Sequence, residues 1–258
     1  AVLIGGGYFY TYRKKAGGLG AWRVDLSIAK MLLREAFPLL LSGTAVIIYQ
    51  RIDAVMIRNM MDNASVGQFS VAAKIAEIAI FVPVIIAQTV TPILVTAHQG
   101  NAEQYRRKRQ QFMDIVVWSS IAIALGTCVL AGPAIRILYG EQYLSAIPVL
   151  QIMAWKIVFV ALTVSSGQLI IVEGIHRYAV IRNAIGGIAC VLFNLLLIPV
   201  WGIVGSAVAA VLTMAVSGYF AHLFIKPYRP LLPLQTRALV HGWKRVLDLR
   251  PWAKRPRL

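Results

Sequence analysis

The sequence predicts an all-α, polytopic membrane protein whose main part is a six-helix transmembrane bundle. Of its 258 residues, 59% are hydrophobic and 14% are charged, whereas soluble domains average about 45–50% apolar and ~25% charged residues. The mean hydropathy is +0.70. The apolar residues fall into runs of about 20, the length of a membrane-spanning helix. The polar connections between these runs are too short to form a soluble domain.

Residues 1–12 are predicted to be the end of a transmembrane helix that begins upstream. Twelve helical residues extend only about 18 Å, too little to cross the hydrocarbon core, and the segment lacks the charged start of a signal peptide. Residues 13–34 follow as a predicted cytoplasmic linker with Arg13, Lys14 and Lys15, a glycine-rich turn and a short amphipathic segment. We therefore interpret the chain as a fragment of a longer protein.

The transmembrane bundle is assigned to residues 35–225. Its predicted spans are residues 35–57, 67–86, 112–131, 146–172, 178–199 and 203–225. Because the apolar sequence continues past Pro92 towards Ala97, a longer second span is an alternative. Residues 98–111 contain four consecutive cations and are interpreted as a solvated loop, and only Trp201 and Gly202 separate the last two spans.

Lysine and arginine are distributed unevenly between the two sides of the predicted bundle. Residues 13–34, 99–111, 174–182 and 226–258 contain six, four, two and nine of the 26 cations, whereas the connections on the opposite side contain two. The positive-inside rule assigns the cation-rich side to the cytoplasm. The C-terminal tail is therefore predicted to be cytoplasmic.

The basic tail, residues 226–258, has one acidic residue, Asp248. Val240, Trp243 and Leu247 recur at helical spacing and predict a helix lying on the anionic inner leaflet, which makes anionic membrane lipids expected partners. A disordered basic tail is the alternative. A nucleic-acid partner is not expected, because the cations lie between apolar runs and not in a groove interleaved with aromatic residues.

Five of the charged residues inside the predicted spans are singled out, because insertion scales put the cost of a charge there at about 2–4 kcal/mol. Lys156 lies near the middle of the fourth span without an acid within one turn, so it requires water, a carboxylate on another helix or a ligand. Lys74 and Glu77 lie deep in the second span, three residues apart, and either pair with each other or line a wet cavity. Arg51 and Asp53 lie nearer the outer end of the first span, where both reach water most simply.

The sequence contains few patterns that accompany catalysis. It has no phosphate-binding G-x-x-x-x-G-K-[ST] loop, and its glycine-rich turns lack the context of a dinucleotide fingerprint. The four histidines show no metal-ligand or triad spacing, and Cys128 and Cys190 are interpreted as small hydrophobic residues. We therefore expect neither an enzyme, nor a cofactor, nor a metal site.

Several short segments resemble a known family in their order and spacing. They are Ile52-Asp53-Ala54-Val55-Met56-Ile57, the run from Val66 to Glu77 (VGQFSVAAKIAE), Leu138-Tyr139-Gly140, Ile198-Pro199 and Gly205-Ser206-Ala207. Together they resemble a polysaccharide flippase, of the O-antigen or capsule type, in the multidrug/oligosaccharidyl-lipid/polysaccharide exporter superfamily. Phe69 stands where that family more often has Tyr, and Ser206 where Ala is common.

The resemblance implies that this chain is the second of two six-helix bundles that face each other across a central cavity, with the N-terminal bundle as a missing partner. It also implies flipping of an undecaprenyl-diphosphate-linked oligosaccharide across the bacterial inner membrane, from cytoplasm to periplasm. A cationic cavity suits a diphosphate, which gives Lys156, Lys74 and Arg51 a substrate-binding role as a hypothesis.

Two other functions stay open from the sequence. A drug or cation antiporter of the same superfamily would use a buried carboxylate, Asp53 or Glu77, to carry protons or sodium. A membrane-embedded assembly partner would have no transport of its own, and the deep, locally unpaired Lys156 argues against it.

Overall fold

The computed structural model of the chain describes residues 26–28, 30–33, 51–175 and 178–247. The chain divides into two compact units, Ala1–Gly43 and Thr44–Leu258. The described residues of the first unit are helical and exposed. The predicted helix end at residues 1–12, most of the first span and the end of the tail lie outside the described residues.

The second unit consists of helices joined by short turns, with no strand among its described residues. The helices are α1 (residues 51–60), α2 (Asn63–His98), α3 (Ala102–Tyr139), α4 (Ala146–Val172), α5 (Ala179–Ala215), α6 (Ala221–Phe224) and α7 (Leu232–Leu247). A π-helical turn, Val216–Phe220, links α5 to α6, and 3-10 turns occupy Glu141–Tyr143 and Lys226–Leu231. The predicted all-α class is confirmed.

Four helical stretches of the described chain are long and apolar enough to cross a membrane. They are α2, α3, α4 and the combined stretch Ala179–Phe224. In a bilayer, helices satisfy their own backbone hydrogen bonds, so repeated apolar helices of this length indicate a polytopic membrane protein. That prediction is confirmed, whereas the count of six spans also depends on residues outside the described part.

Helix α5 reverses direction at Gly202, whose φ of 57° favours glycine. Two contacts across the turn demonstrate the reversal. The Ser206 hydroxyl donates to Asn194 Oδ1 at 2.8 Å, although residues twelve apart in a straight helix would be about 18 Å apart. A Cβ on Gly205 would lie 2.1 Å from the Leu197 carbonyl oxygen. The hairpin turn therefore falls where the sequence places the boundary between the fifth and sixth spans.

The first turn of α2 is capped by Asp62. Its carboxylate accepts the Ser65 backbone N–H at 2.7 Å, and hydrogen bonds from this turn lower the pKa of Asp62. From there α2 continues to His98 with Pro83 and Pro92 inside it. The longer of the two alternatives for the second span is therefore correct.

Helix α3 begins ten residues before the predicted third span, so the solvated loop predicted at residues 98–111 is mostly wrong. Asn101 Oδ1 accepts the Glu103 backbone N–H at 2.8 Å and caps the helix. Arg107 then pairs with Glu103 at 2.6 Å, one turn away. Because capping and this pairing favour helix, the basic run forms the first turns of α3.

The amphipathic helix predicted in the tail is confirmed as α7, which packs against α3. Trp118 Nε1 donates to the Ala238 carbonyl at 2.8 Å. Ala238 is fully buried, whereas Val240 and Trp243 are exposed. The alternative of a disordered tail is wrong for this helix, which has one face on the bundle and an apolar face outside.

Helix α4 is the centre of the unit, because it packs against α2, α3 and α5. Its buried side chains occupy nearly every turn and include Leu150, Met153, Ile157, Leu162 and Leu169. Polar side chains that α4 and the neighbouring helices do not bury line a cavity beside α4.

Candidate functional site

Side chains of α1, α2 and α4 enclose a cavity of about 110 Å³. We call it the charged cavity, because its lining includes Arg51, Asp53, Lys74, Glu77 and Lys156. These are the five interior charges that the sequence singles out. The structure therefore brings together, from three helices, residues that lie up to about a hundred positions apart.

A larger cavity of about 460 Å³ shares three of these residues, Arg51, Glu77 and Lys156. It extends along α4 to Thr163 and to Met214 of α5. Its volume falls within the range of about 300–1,000 Å³ that ligand pockets occupy. The charges thus border a space large enough for a polar head group.

Glu77 pairs with Arg51, not with Lys74. The distance between Arg51 Nη1 and Glu77 Oε1 is 3.6 Å, and the side chains are 72% and 53% exposed. Lys74 is exposed and has no ion pair within the described chain. Lys74 and Glu77 were expected either to pair with each other or to line a wet cavity. Direct pairing is wrong, because Arg51 of α1 is the partner of Glu77. Lys74 lines the charged cavity.

Asp53 is buried, so the expected short route to water is wrong for this residue. Its side chain lies in the wall of the charged cavity and is 6% exposed. Asp53 Oδ1 accepts hydrogen bonds from Asn194 Nδ2 at 2.7 Å and from the Cys190 thiol at 3.2 Å. Ser206 in turn donates to Asn194. The first span and the α5 hairpin are therefore joined by a continuous polar network, and Cys190 is part of it in addition to being buried.

Lys156 is half-buried and lies close enough to Asp53 for their charges to interact. Among the described residues no carboxylate approaches its ammonium within 4.0 Å. Water, a carboxylate on another helix and a ligand were the partners expected for Lys156. The Asp53 carboxylate of α1 is such a partner, at a distance longer than that of an ion pair. The ammonium remains available to a further anion in the charged cavity.

Asp114, which was not predicted from the sequence as a functional residue, is buried in α3 with 1% of its side chain exposed. Arg245 of α7 donates to both of its oxygens, from Nε at 2.5 Å and from Nη2 at 2.9 Å. These hydrogen bonds raise the pKa of Arg245 above its ordinary value. Because Asp114 lies only two residues into a predicted span, the sequence suggests that its side chain lies at the membrane surface. Its partner Arg245 becomes evident only from the position of α7 in the structure.

A second missed residue, Gln235, ties α7 to the π-helical turn. Its amide nitrogen donates to the Gly218 carbonyl at 2.8 Å and to Ser166 Oγ at 2.7 Å, and its oxygen lies 3.2 Å from His222 Nδ1. All of these groups are buried. The tail is thus an integrated part of the unit, and no pattern in the sequence around Gln235 indicates this.

Within the described residues no cluster of three or more His, Cys, Asp or Glu is arranged to hold a metal ion. The polar groups at the site are ammonium, guanidinium, carboxylate, amide, hydroxyl and thiol groups. Their arrangement offers charge and hydrogen bonds to a polar ligand.

The fold and the site together define an α-helical, multi-pass membrane protein with a charged cavity. Residues 8–148 match the family described as polysaccharide biosynthesis protein, over more than half of the chain. The chain belongs to this family. The predicted resemblance to the polysaccharide flippase type of the exporter superfamily is confirmed.

A solved structure with a similar fold is that of the lipid II flippase MurJ in an inward closed conformation. The TM-score is 0.67 at 14% sequence identity, a level at which the likeness concerns the fold alone. The match covers 95% of this chain and 54% of the flippase. This chain therefore spans about half the length of that protein. No curated protein sequence matches the chain significantly.

Proposed function

We propose that this chain forms one half of a flippase that moves an undecaprenyl-diphosphate-linked oligosaccharide between membrane leaflets during surface polysaccharide synthesis. The observation that carries the proposal is the charged cavity, in which Lys156, Lys74 and Arg51 line one site on an otherwise apolar bundle. Membership of the polysaccharide biosynthesis family and the flippase-like fold support it. The proposal assigns the chain a transport step and no catalysis.

In this proposal the cations bind the diphosphate group. Lys156 and Lys74 have no ion pair within the described residues, and Arg51 is paired only with the exposed Glu77. An exposed pair of this kind contributes at most about 1 kcal/mol and is readily exchanged for another anion. Alternating movement of this bundle against a second, N-terminal bundle would then carry the head group across.

The proposed location is the bacterial inner membrane, with the C-terminus in the cytoplasm. The distribution of cations supports this orientation through the positive-inside rule. Substrate would enter from the cytoplasmic leaflet and leave on the periplasmic side. Anionic lipids of the inner leaflet are the proposed surroundings of α7.

Asp53 is the proposed residue for ion coupling. It is a buried carboxylate that accepts hydrogen bonds from Asn194 and Cys190 and lies near Lys156. Buried carboxylates in membrane bundles bind protons or cations because both neutralise an otherwise costly charge. Glu77, which is half-exposed and paired with Arg51, is the weaker candidate.

The test is surface-polysaccharide export in cells that depend on the full-length protein. Lys156→Gln and Lys74→Gln are expected to reduce export at least about tenfold, which corresponds to ~1.4 kcal/mol of lost stabilisation. Arg58→Gln is the matched control, because Arg58 is an exposed cation of α1 outside the charged cavity. Normal export with both lysine variants, at equal protein levels, would exclude the proposed binding role.

The same set of variants distinguishes the alternative of a drug or cation antiporter, which the buried Asp53 favours. In an antiporter, Asp53→Asn abolishes drug efflux, and the lysine variants leave efflux intact. In the flippase, Asp53→Asn reduces polysaccharide export together with the lysine variants. A reconstituted full-length protein that moves neither substrate would indicate an assembly partner.

A further inference from the structure

A third cavity lies between α3 and α7, on the side that the positive-inside rule assigns to the cytoplasm, and has a volume of about 580 Å³. Five arginines line it, and we call it the arginine cavity. They are Arg106, Arg107 and Arg109 of α3 and Arg237 and Arg245 of α7. None of them belongs to the charged cavity, and the proposed flipping step does not use them.

The charge balance of the arginine cavity is incomplete. Three arginines have carboxylate partners in the described chain: Arg107 with Glu103, Arg109 with Glu173 and Arg245 with Asp114. Arg106 and Arg237 form no ion pair there, and one of them belongs to each helix. The cavity thus presents two uncompensated guanidinium groups from its two sides.

Hydrogen bonding at the cavity is also incomplete. Arg109 Nε is buried and has no acceptor among the described residues. The Nη1 of the same guanidinium donates to Glu173 at 3.2 Å, which fixes the side chain in place. The Arg109 guanidinium is therefore a fixed cation in the cavity wall, although its buried Nε is not itself exposed to a ligand.

The cavity is held open by fixed contacts between its walls. Trp118 Nε1 donates to the Ala238 carbonyl, and Arg245 donates to Asp114. Gly242 allows α7 to approach this closely, since a Cβ there would lie 2.6 Å from Trp118 Nε1. The arginines therefore stand on two helices whose separation is set independently of any ligand.

The chemistry and the position of the cavity indicate a phosphate group. Guanidinium forks match phosphate oxygens in bidentate geometry. The cavity lies where the basic turns of α3 give way to its apolar stretch, which is the level of lipid head groups. Trp243 of α7 is exposed near this level, as interfacial tryptophans are. We infer that the arginine cavity binds a net anionic phosphate head group, one without a compensating cation, between Arg106 and Arg237.

The experiment measures binding to the full chain in detergent, so it does not depend on the proposed transport. Native mass spectrometry compares phosphatidylglycerol with phosphatidylcholine, and calorimetric titration with inorganic pyrophosphate tests a soluble source of the same group. The double variant Arg106→Gln/Arg237→Gln is expected to weaken binding of phosphatidylglycerol at least about tenfold. The control is Lys108→Gln/Lys244→Gln, which removes the same charge from the same helices outside the cavity.

Loss of binding in the arginine double variant, with binding retained in the lysine double variant, supports the site. Loss of phosphatidylglycerol binding identifies a lipid as the source of the phosphate, and loss of pyrophosphate binding identifies a soluble source. Equal loss in both double variants, or no saturable binding of either probe, overturns the inference, because attraction would then be diffuse. Arg106→Lys/Arg237→Lys keeps the charge and removes the fork, and it is expected to bind more weakly than the wild-type chain. Both exposed positions tolerate this replacement without loss of the fold.

Discussion

The ion pairs formed by Arg51 and by Arg245 differ in burial, and burial determines what each contributes. The Arg51–Glu77 pair is exposed on both sides, so it contributes at most about 1 kcal/mol. Asp114 is 1% exposed and Arg245 is 40% exposed. Removing the arginine leaves a buried carboxylate charge whose remaining hydrogen-bond donor is the neutral Gln110 amide, whereas removing the acid leaves an arginine that reaches water.

Arg245→Ala is therefore expected to destabilise the protein more than Asp114→Asn. We expect a loss of about 2–3 kcal/mol in the free energy of unfolding for the first and about 1–2 kcal/mol for the second. Thermal unfolding of the purified chain in detergent, followed by circular dichroism, measures both. Lys244→Ala, at the adjacent exposed position, controls for loss of a cation from α7. Equal losses for the two variants would show that Asp114 is not the costly partner.

Individual charges in the spans were predictable, and their partners were not. Depth within an apolar run identified Lys156 and Lys74 as lining residues, because a bilayer tolerates few such charges. The burial of Asp53 was missed, since its partner Asn194 is 141 residues further along the chain. Local sequence contains no information about which helix packs beside α1.

At the scale of elements, the α5 hairpin depends on two glycines with different roles. Gly202 adopts the positive φ of the turn. Gly205 allows the second arm to touch the backbone of the first at Leu197. Because a backbone contact cannot be relieved by a change of rotamer, a methyl group at Gly205 must separate the two arms.

Gly205→Ala is therefore expected to lower the free energy of unfolding by about 1–3 kcal/mol. The matched control is Gly167→Ala in α4, where a Cβ would meet no atom within 4 Å. That change is expected to be neutral, or to stabilise α4 by up to about 1 kcal/mol through helix propensity. Thermal unfolding of both variants tests the pair. A stable Gly205→Ala protein would mean that the arms are less closely packed than described.

The sequence located the apolar helices well and their polar ends less well. The turn at Trp201 and Gly202 was predicted because two long apolar runs need a break. The start of α3 was missed, because Arg106 to Arg109 have the composition of a loop and the cap at Asn101 was not recognised. Tertiary contact with α7 then buries part of that basic run, which composition alone does not indicate.

At the scale of the whole molecule, the all-α membrane class followed from composition because a bilayer leaves the backbone few alternatives. The arrangement of helices around α4 did not follow, since apolar faces of similar size pack in many orders. The resemblance to a two-bundle family adds an expectation about the exposed face of α2. Lys74 lies on that face and should meet water in the assembled protein, whereas ordinary lipid-facing positions should not.

This expectation is tested by the reactivity of introduced thiols with a membrane-impermeant maleimide in intact membranes. In a Cys128→Ala/Cys190→Ser background, Lys74→Cys is expected to react at least about tenfold faster than Leu125→Cys, because maleimides attack the thiolate that forms in water. Leu125 is a suitable control because it is exposed on the apolar part of α3 and does not line the charged cavity. Equally slow labelling at both positions would place Lys74 against lipid or protein. The charged cavity would then be closed to water, and the route proposed for a diphosphate head group would be excluded.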